Sequence, residues 1–254
     1  MTEFTEKALV LKAGRFREAD VWVRLFTPSR GALTAFAFGG SRSRRRFCGC
    51  LDPLSETLVT VKADRGGRYL TLQEGTLLRS FPGLRRDLKR LGHAVNCLKF
   101  VEATQLGPQG AQQTHALLLQ TLTLLDDGPA LGEEALELLP LFFRARSTFA
   151  QGLAPELTAC HDCGRPIREG EGVSFFVEAG HLCCRPCAGR RPEPPLAMGA
   201  EAVETLAFVA SAPPPAWPAL VPTRHARREI YVFVERFVRC HLGLTWDNGR
   251  FERV

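Results

Sequence analysis

Two cysteine pairs constrain this chain more than any other feature. Cys160-His161-Asp162-Cys163 and Cys184-Arg185-Pro186-Cys187 each spell C-x-x-C, with 20 residues between them. Such a turn presents two thiolates from one short loop, and two turns complete the tetrahedral sulfur set that zinc prefers. A redox dithiol would need one pair, not two matched ones. Gly164 follows the first pair, where a knuckle turns with positive φ. The stretch Val173-Ser174-Phe175-Phe176-Val177 is suited to strands that bring the pairs together. Cys183 adjoins Cys184, but only Cys184 keeps the two-residue spacing to Cys187. The expected ligands are therefore Cys160, Cys163, Cys184 and Cys187, with His161 and His181 as nearby substitutes of low rank. Four thiolates close the coordination sphere, whereas a catalytic zinc keeps one position open, so the expected site is structural or an interaction platform. Cys48, Cys50, Cys97 and Cys240 read as small buried or free thiols.

The cysteine count of 9 is odd, and Glu3, Glu6 and Lys7 stand where a secretory signal would be apolar. Both features point to a reducing, cytoplasmic compartment. No run of about 20 apolar residues suggests a membrane span.

Charge is distributed unevenly. Residues 1–90 carry 18 Lys/Arg against 9 Asp/Glu, while residues 91–254 carry 15 against 18. The basic excess behind the formal net charge of +6 thus sits in the first third, as expected of a polyanion-binding region joined to a neutral one. Its densest part is Gly39-Gly40-Ser41-Arg42-Ser43-Arg44-Arg45-Arg46-Phe47. Glycines permit close approach to phosphate, and guanidinium forks donate to its oxygens. Arg15, Arg17, Arg65 and Arg68 fall in other expected loops, and Arg85, Arg86, Lys89 and Arg90 open the first expected helix. These cations are the expected DNA contacts. Phe16, Trp22, Phe36, Phe38, Phe47 and Tyr69 lie among these charges as candidate base-stacking rings; most of them, Phe36 and Phe38 included, are expected inside the core, and Phe47 is the preferred stacking ring.

Residues 5–80 hold five short β-rich segments separated by turn residues, which suits a five-stranded OB-fold barrel. Helical spacing begins after Gly83, with Leu84, Leu88, Leu91, Val95, Leu98 and Val101 on one stripe. Further helices are expected over 117–125, 130–150, Glu201–Ala210 and Thr223–Leu242, the second of them kinked or split at Pro140. Pro213–Pro222 reads as a linker. The fold expected is α+β: an OB-fold DNA-binding domain at 1–82, then a helical domain at 83–254 with a zinc-finger insert at about 157–192.

Sequence signals for catalysis are missing. There is no P-loop, no H-E-x-x-H, no G-x-S-x-G, and no deaminase H-x-E with P-C-x-x-C. The paired acids Asp126-Asp127 and Glu133-Glu134 lie at expected helix ends, a structural placement and not a catalytic one. The expectation is a protein that is not an enzyme.

Several segments together resemble the bacterial DNA repair protein RecO family. They are Ala8-Leu9-Val10-Leu11-Lys12, Glu18-Ala19-Asp20, Leu25-Phe26-Thr27, Gly31, Ala37-Phe38-Gly39-Gly40 and Leu51-Asp52-Pro53. Further on come Cys160-x-x-Cys163-Gly164, Phe175-Phe176 and Gly180-His181-Leu182-Cys183-Cys184-x-x-Cys187. The resemblance covers nearly the whole chain, and its pattern also favours Cys184 over Cys183. It implies a recombination mediator with an N-terminal OB-fold and a zinc finger in a helical C-terminal domain. Such a mediator binds single- and double-stranded DNA, anneals complementary strands at the nucleoid and, with RecR, helps load RecA on DNA coated by single-strand-binding protein. Contact with the acidic C-terminal tail of that coating protein is implied as well. Two other readings compete: a zinc-ribbon regulatory scaffold that binds duplex DNA by sequence, and a metal-dependent DNA-processing enzyme. The first would need a base-reading helix, and the basic loops suit phosphate contact better.

Overall fold

The structure, a computed structural model, describes residues 3–43, 45–127 and 131–254. Five strands, β1 (Glu3–Arg15), β2 (Val21–Thr27), β3 (Gly31–Ala37), β4 (Glu56–Ala63) and β5 (Leu70–Arg79), close into a barrel in the order β1-β2-β3-β5-β4. Neighbours are antiparallel except β3 and β5, which run parallel. Alternation fills the interior with Val21, Val23 and Leu25 of β2, Ala35 and Ala37 of β3, and Val59 and Val61 of β4. Phe36 and Phe38 therefore face outward, contrary to the expectation above. Every position from Leu33 to Phe38 except Thr34 is apolar, so hydropathy does not set the phase. The small alanines take the narrow interior instead. Phe47 is corrected in the opposite sense: it is 3% exposed and belongs to the barrel core with Cys50. Its ring is not available for stacking on a base.

Contacts divide the chain into two compact units, the first running to Leu91 and including Gln105–Asp126. It thus contains the start of α1 (Leu88–Thr104) and nearly all of α2 (Ala111–Asp127). The α2 imidazole His115 packs against Phe26 of β2 at 5.8 Å. Gly31, at φ 72°, admits the Leu106 carbonyl, which accepts a hydrogen bond from the Ala32 N–H at 2.9 Å. Asp126 accepts from the Leu84 N–H at 3.0 Å and pairs with Arg79 at 3.9 Å.

The second unit holds Gly92–Thr104 and residues from Asp127 onward. Helix α3 (Glu133–Thr148) runs through Pro140 as one helix and is not split. Its buried Arg144 donates to Glu235 at 2.9 Å and to Asn96 at 3.2 Å. Helix α5 (Ala200–Ser211) precedes the proline-rich stretch, which is not a linker. Pro214–Ala219 forms a 3-10 turn, and Trp217 is buried against Phe142 at 6.0 Å. Helix α6 (Arg224–Leu242) is capped by the Thr223 side chain and ends on Gly243 in the left-handed region. A C-terminal hairpin, β9 (Leu244–Asp247) and β10 (Arg250–Arg253), turns on Asn248-Gly249, both at positive φ. Among the described residues, no helix is long and apolar enough to cross a membrane.

Candidate metal centre and nucleic-acid face

The cysteine module is built on a small sheet in which β6 (Val173–Phe176) pairs with β7 (His181–Cys183) and β8 (Leu196–Met198). Phe175 anchors that sheet on α6, packing against Phe233 at 4.8 Å. The first knuckle is closed by the Gly164 N–H donating to the Cys160 carbonyl at 2.8 Å, with Gly164 at φ 68°. The second opens α4 (Arg185–Ala188), where the Cys187 N–H donates to the Cys184 carbonyl at 3.1 Å.

The sulfurs of Cys160, Cys163, Cys184 and Cys187 all lie within 4.8 Å of one another. A tetrahedral zinc sets its sulfurs about 3.8 Å apart, and Cys163 and Cys184 stand at 3.9 Å. The donor set and its size therefore fit a tetrahedral thiophilic ion. Cys183 is not in the group: its thiol bonds to Asp162, and burial followed by that carboxylate raises its pKa to about 11. Burial also pushes the Cys160 thiol up, but N–H donors of Cys184, Cys163 and Asp162 outweigh it and hold the pKa at about 6. Those donors stabilise a thiolate, which is the metal-binding form. Arg165 and Glu171 clamp the loop between the knuckles with two bonds of 2.9 and 2.6 Å.

On the barrel, outward alternation builds a row of rings. Phe36 meets Phe16, from the β1–β2 loop, at 5.3 Å and Tyr69, from the β4–β5 loop, at 6.3 Å. Trp22 is the cross-strand partner of Phe36 on β2 and shares that face. Phe16 and Tyr69 are exposed, Tyr69 by 61%. Arg17 lies over the Phe16 ring at 4.9 Å, and Arg65 and Arg68 are exposed beside Tyr69 in the sequence. The arginine-rich β3–β4 loop is tied to the β1–β2 loop: the Gly39 N–H donates to Asp20 Oδ1 at 2.8 Å and the Ser41 N–H to the Ala19 carbonyl at 3.0 Å.

Within this loop the arginines differ. Arg42 pairs with Glu18 at 3.5 Å, and Arg46 donates to the Phe38 carbonyl at 2.7 Å. Arg44 lies outside the described residues. Ion pairs of this unit engage Arg30, Arg42, Lys62, Arg79 and Arg90. Arg15, Arg17, Arg45, Arg65 and Arg86 have no carboxylate partner among the described residues. Arg85 donates to the Pro53 carbonyl at 3.1 Å, and the Lys89 N–H is held by Asp87 at 2.9 Å. Arg90 is half-buried and donates to the Leu125 carbonyl at 2.8 Å, which ties it to the end of α2.

Comparison with known proteins adds identity to this geometry. Residues 1–81 match the family described as Recombination protein O N terminal, and residues 85–250 match Recombination protein O C terminal. The chain belongs to the recombination protein O family. Curated relatives named DNA repair protein RecO run the full length. That of Nitratidesulfovibrio vulgaris (strain DP4) is 46% identical over 99% of this chain and 100% of its own. Those of Oleidesulfovibrio alaskensis and Lawsonia intracellularis are 44% and 38% identical, with the same coverage.

For a member of the recombination protein O family, the choice among the rings is what sequence reasoning misses, since it assigns most of them to the core and prefers Phe47. Phe16, Trp22, Phe36 and Tyr69 lie on different segments; the β2–β3 hairpin pairs Trp22 with Phe36, and the parallel pairing of β3 with β5 brings Tyr69 to them. The signal available was the Ala35/Ala37 pair. Two small residues alternating with Phe36 and Phe38 mark the narrow interior side of a small barrel.

Proposed function

We propose that this chain is a non-catalytic mediator of recombinational repair that holds single-stranded DNA across the outer face of β2 and β3. The observation that carries this reading is the contiguous Phe16–Phe36–Tyr69 row, flanked by arginines that lack carboxylate partners among the described residues. Rings stack on any base, and guanidinium groups follow the backbone, so the face suits strand binding without sequence preference. The strand order with β1 closing on β4, and binding on the β2–β3 face between the β1–β2 and β4–β5 loops, fit an OB-fold. Arg15, Arg17, Arg45, Arg65 and Arg68 are the backbone contacts in this reading, with Arg42 and Arg46 at its edge.

Annealing follows physically. Phosphate contacts neutralise two strands that repel one another, and no covalent step is needed. Duplex DNA, RecR, the acidic tail of single-strand-binding protein and, through RecR, RecA are the partners that family membership favours. The four thiols hold one structural zinc, for which a closed sulfur set and thiolate-stabilising N–H donors are the support.

The test is binding of a labelled single-stranded oligonucleotide at two salt concentrations. Substituting Phe16, Phe36 and Tyr69 together by Ala should weaken binding and leave the salt slope intact. Substituting Arg15, Arg17, Arg45, Arg65 and Arg68 by Ala should lower the slope by roughly 0.7 for each phosphate no longer neutralised. Unchanged affinity in both variants would remove the DNA site from this face.

A further inference from the structure

Beside the four-cysteine group, the described residues contain a second set of metal-ligand side chains. His161, Asp162 and His181 each place a donor atom within 4.8 Å of the others. The first knuckle supplies His161 and Asp162, and its His161 N–H donates to the Leu182 carbonyl at 3.0 Å, which ties it to β7. That strand supplies His181. The two imidazoles stack at 3.9 Å with 14° between their planes.

We propose that His161, Asp162 and His181 form a second, exchangeable site for a transition-metal ion of the zinc, cobalt or nickel type, distinct from the sulfur site. It stands apart from the DNA-binding reading. The tautomer of His181 is the first argument. Its Nδ1 lies 3.2 Å from the Ala179 carbonyl, which can only accept, so Nδ1 carries the proton. Nε2 then bears the lone pair, and it is buried with no hydrogen-bond partner. An imidazole with one nitrogen donating to a backbone carbonyl and the other presenting an unused lone pair is the arrangement of a metal-ligating histidine.

The carboxylate is the second argument. Asp162 already attracts a cation: Arg191 Nε donates to Oδ2 at 3.0 Å, and Arg191 Nη2 bonds to Oδ1. A metal ion at this place competes with that guanidinium, which makes the site weaker than the sulfur site and exchangeable. The His161 ring is exposed, so it can turn from the stack toward a shared ion. Two imidazoles and one carboxylate suit zinc, cobalt or nickel rather than the all-oxygen cations. Three protein ligands leave one position for water or an external anion.

The experiment uses the full chain carrying one equivalent of tightly bound zinc, titrated with Co2+. Binding is followed by calorimetry, visible absorption and elemental analysis. The expected result is one further equivalent of cobalt with retained zinc, weak ligand-field bands and no sulfur-to-cobalt charge transfer. His161→Ala and His181→Ala should each weaken it by more than about tenfold, while Arg191→Gln strengthens it. His161 is exposed, so its variant keeps the test valid if His181→Ala misfolds; retained zinc reports the fold. A chain that takes no second equivalent overturns the proposal. So does a second equivalent that survives the His161 substitution, or cobalt that enters with strong charge transfer and expels zinc.

Discussion

Trp22 and Gly14 face each other across β1 and β2, and the indole lies so close to the Gly14 backbone that a methyl group there would stand 2.7 Å from Nε1, Cε2 and Cζ2. The glycine is required here by the ring, since its φ is not among the positive ones. Gly14→Ala should push the indole out of its place beside Phe36 and change tryptophan emission. Single-stranded DNA affinity should fall by about 1 kcal/mol, the lower end of the range for one base stack. Anisotropy titration and emission spectra check both; unchanged values in each would mean that the indole is not part of the binding face.

Phe36 and Phe47 should respond in opposite ways to truncation. Phe47→Ala empties part of the barrel core and should destabilise its unit by about 3–5 kcal/mol. Phe36→Ala removes a ring on the outer face, so it should cost about 1–3 kcal/mol of DNA binding with little change in stability. Urea unfolding and oligonucleotide titration of the two variants separate the roles.

The same pair shows what was legible in the sequence. Hydropathy located β3 but could not orient it, because nearly every residue from Leu33 to Phe38 is apolar. Side-chain volume decides the question, and volume matters only once the barrel's closure is known. Spacing alone singled out Cys184 over Cys183, because a C-x-x-C turn is local and carries its geometry within four residues. Thr223 and Gly243 bracket α6 for the same local reason. The Asn248-Gly249 turn is equally local, a strong hairpin signal carried by two adjacent residues. Proline content misled at 213–222, where Trp217 supplies the apolar anchor that orders the segment. Pairings that link distant segments, such as Phe16 with Phe36 and Arg90 with Leu125, had no sequence signal.

The cysteines separate by metal retention. Cys184→Ser should lose the zinc proposed for this cluster, and Cys183→Ser should keep it, because only Cys184 stands among the four clustered sulfurs. Removing the metal with a strong chelator should loosen the module, since like-charged thiolates repel once the ion is gone. Elemental analysis after desalting, together with amide exchange across β6 and β7, reads both effects. Retention of zinc by Cys184→Ser would move the ligand to Cys183 or a histidine.

His115 should make the barrel unit sensitive to mild acid. Burial holds its imidazole neutral and lowers its pKa to about 4 from an ordinary 6.5; the Glu6 carboxylate opposes this and Lys7 adds to it. A histidine with a depressed folded pKa binds its proton more readily in the unfolded chain. Its neutral form therefore costs no stability above pH 6.5, and stability falls as the pH drops from about 6.5 toward 4. The full loss is at most about 3 kcal/mol for a pKa lowered that far. Replacing the ring by a group that does not titrate removes this acid limb, so His115→Leu should flatten the dependence between about pH 6.5 and 4.5. Carboxylate protonation, common to both proteins, dominates only below that range. Amide exchange of β2 at about pH 7.5, 6 and 5, corrected for intrinsic rates, reads the local stability directly. Parallel profiles for the two proteins would show that His115 does not couple protonation to folding.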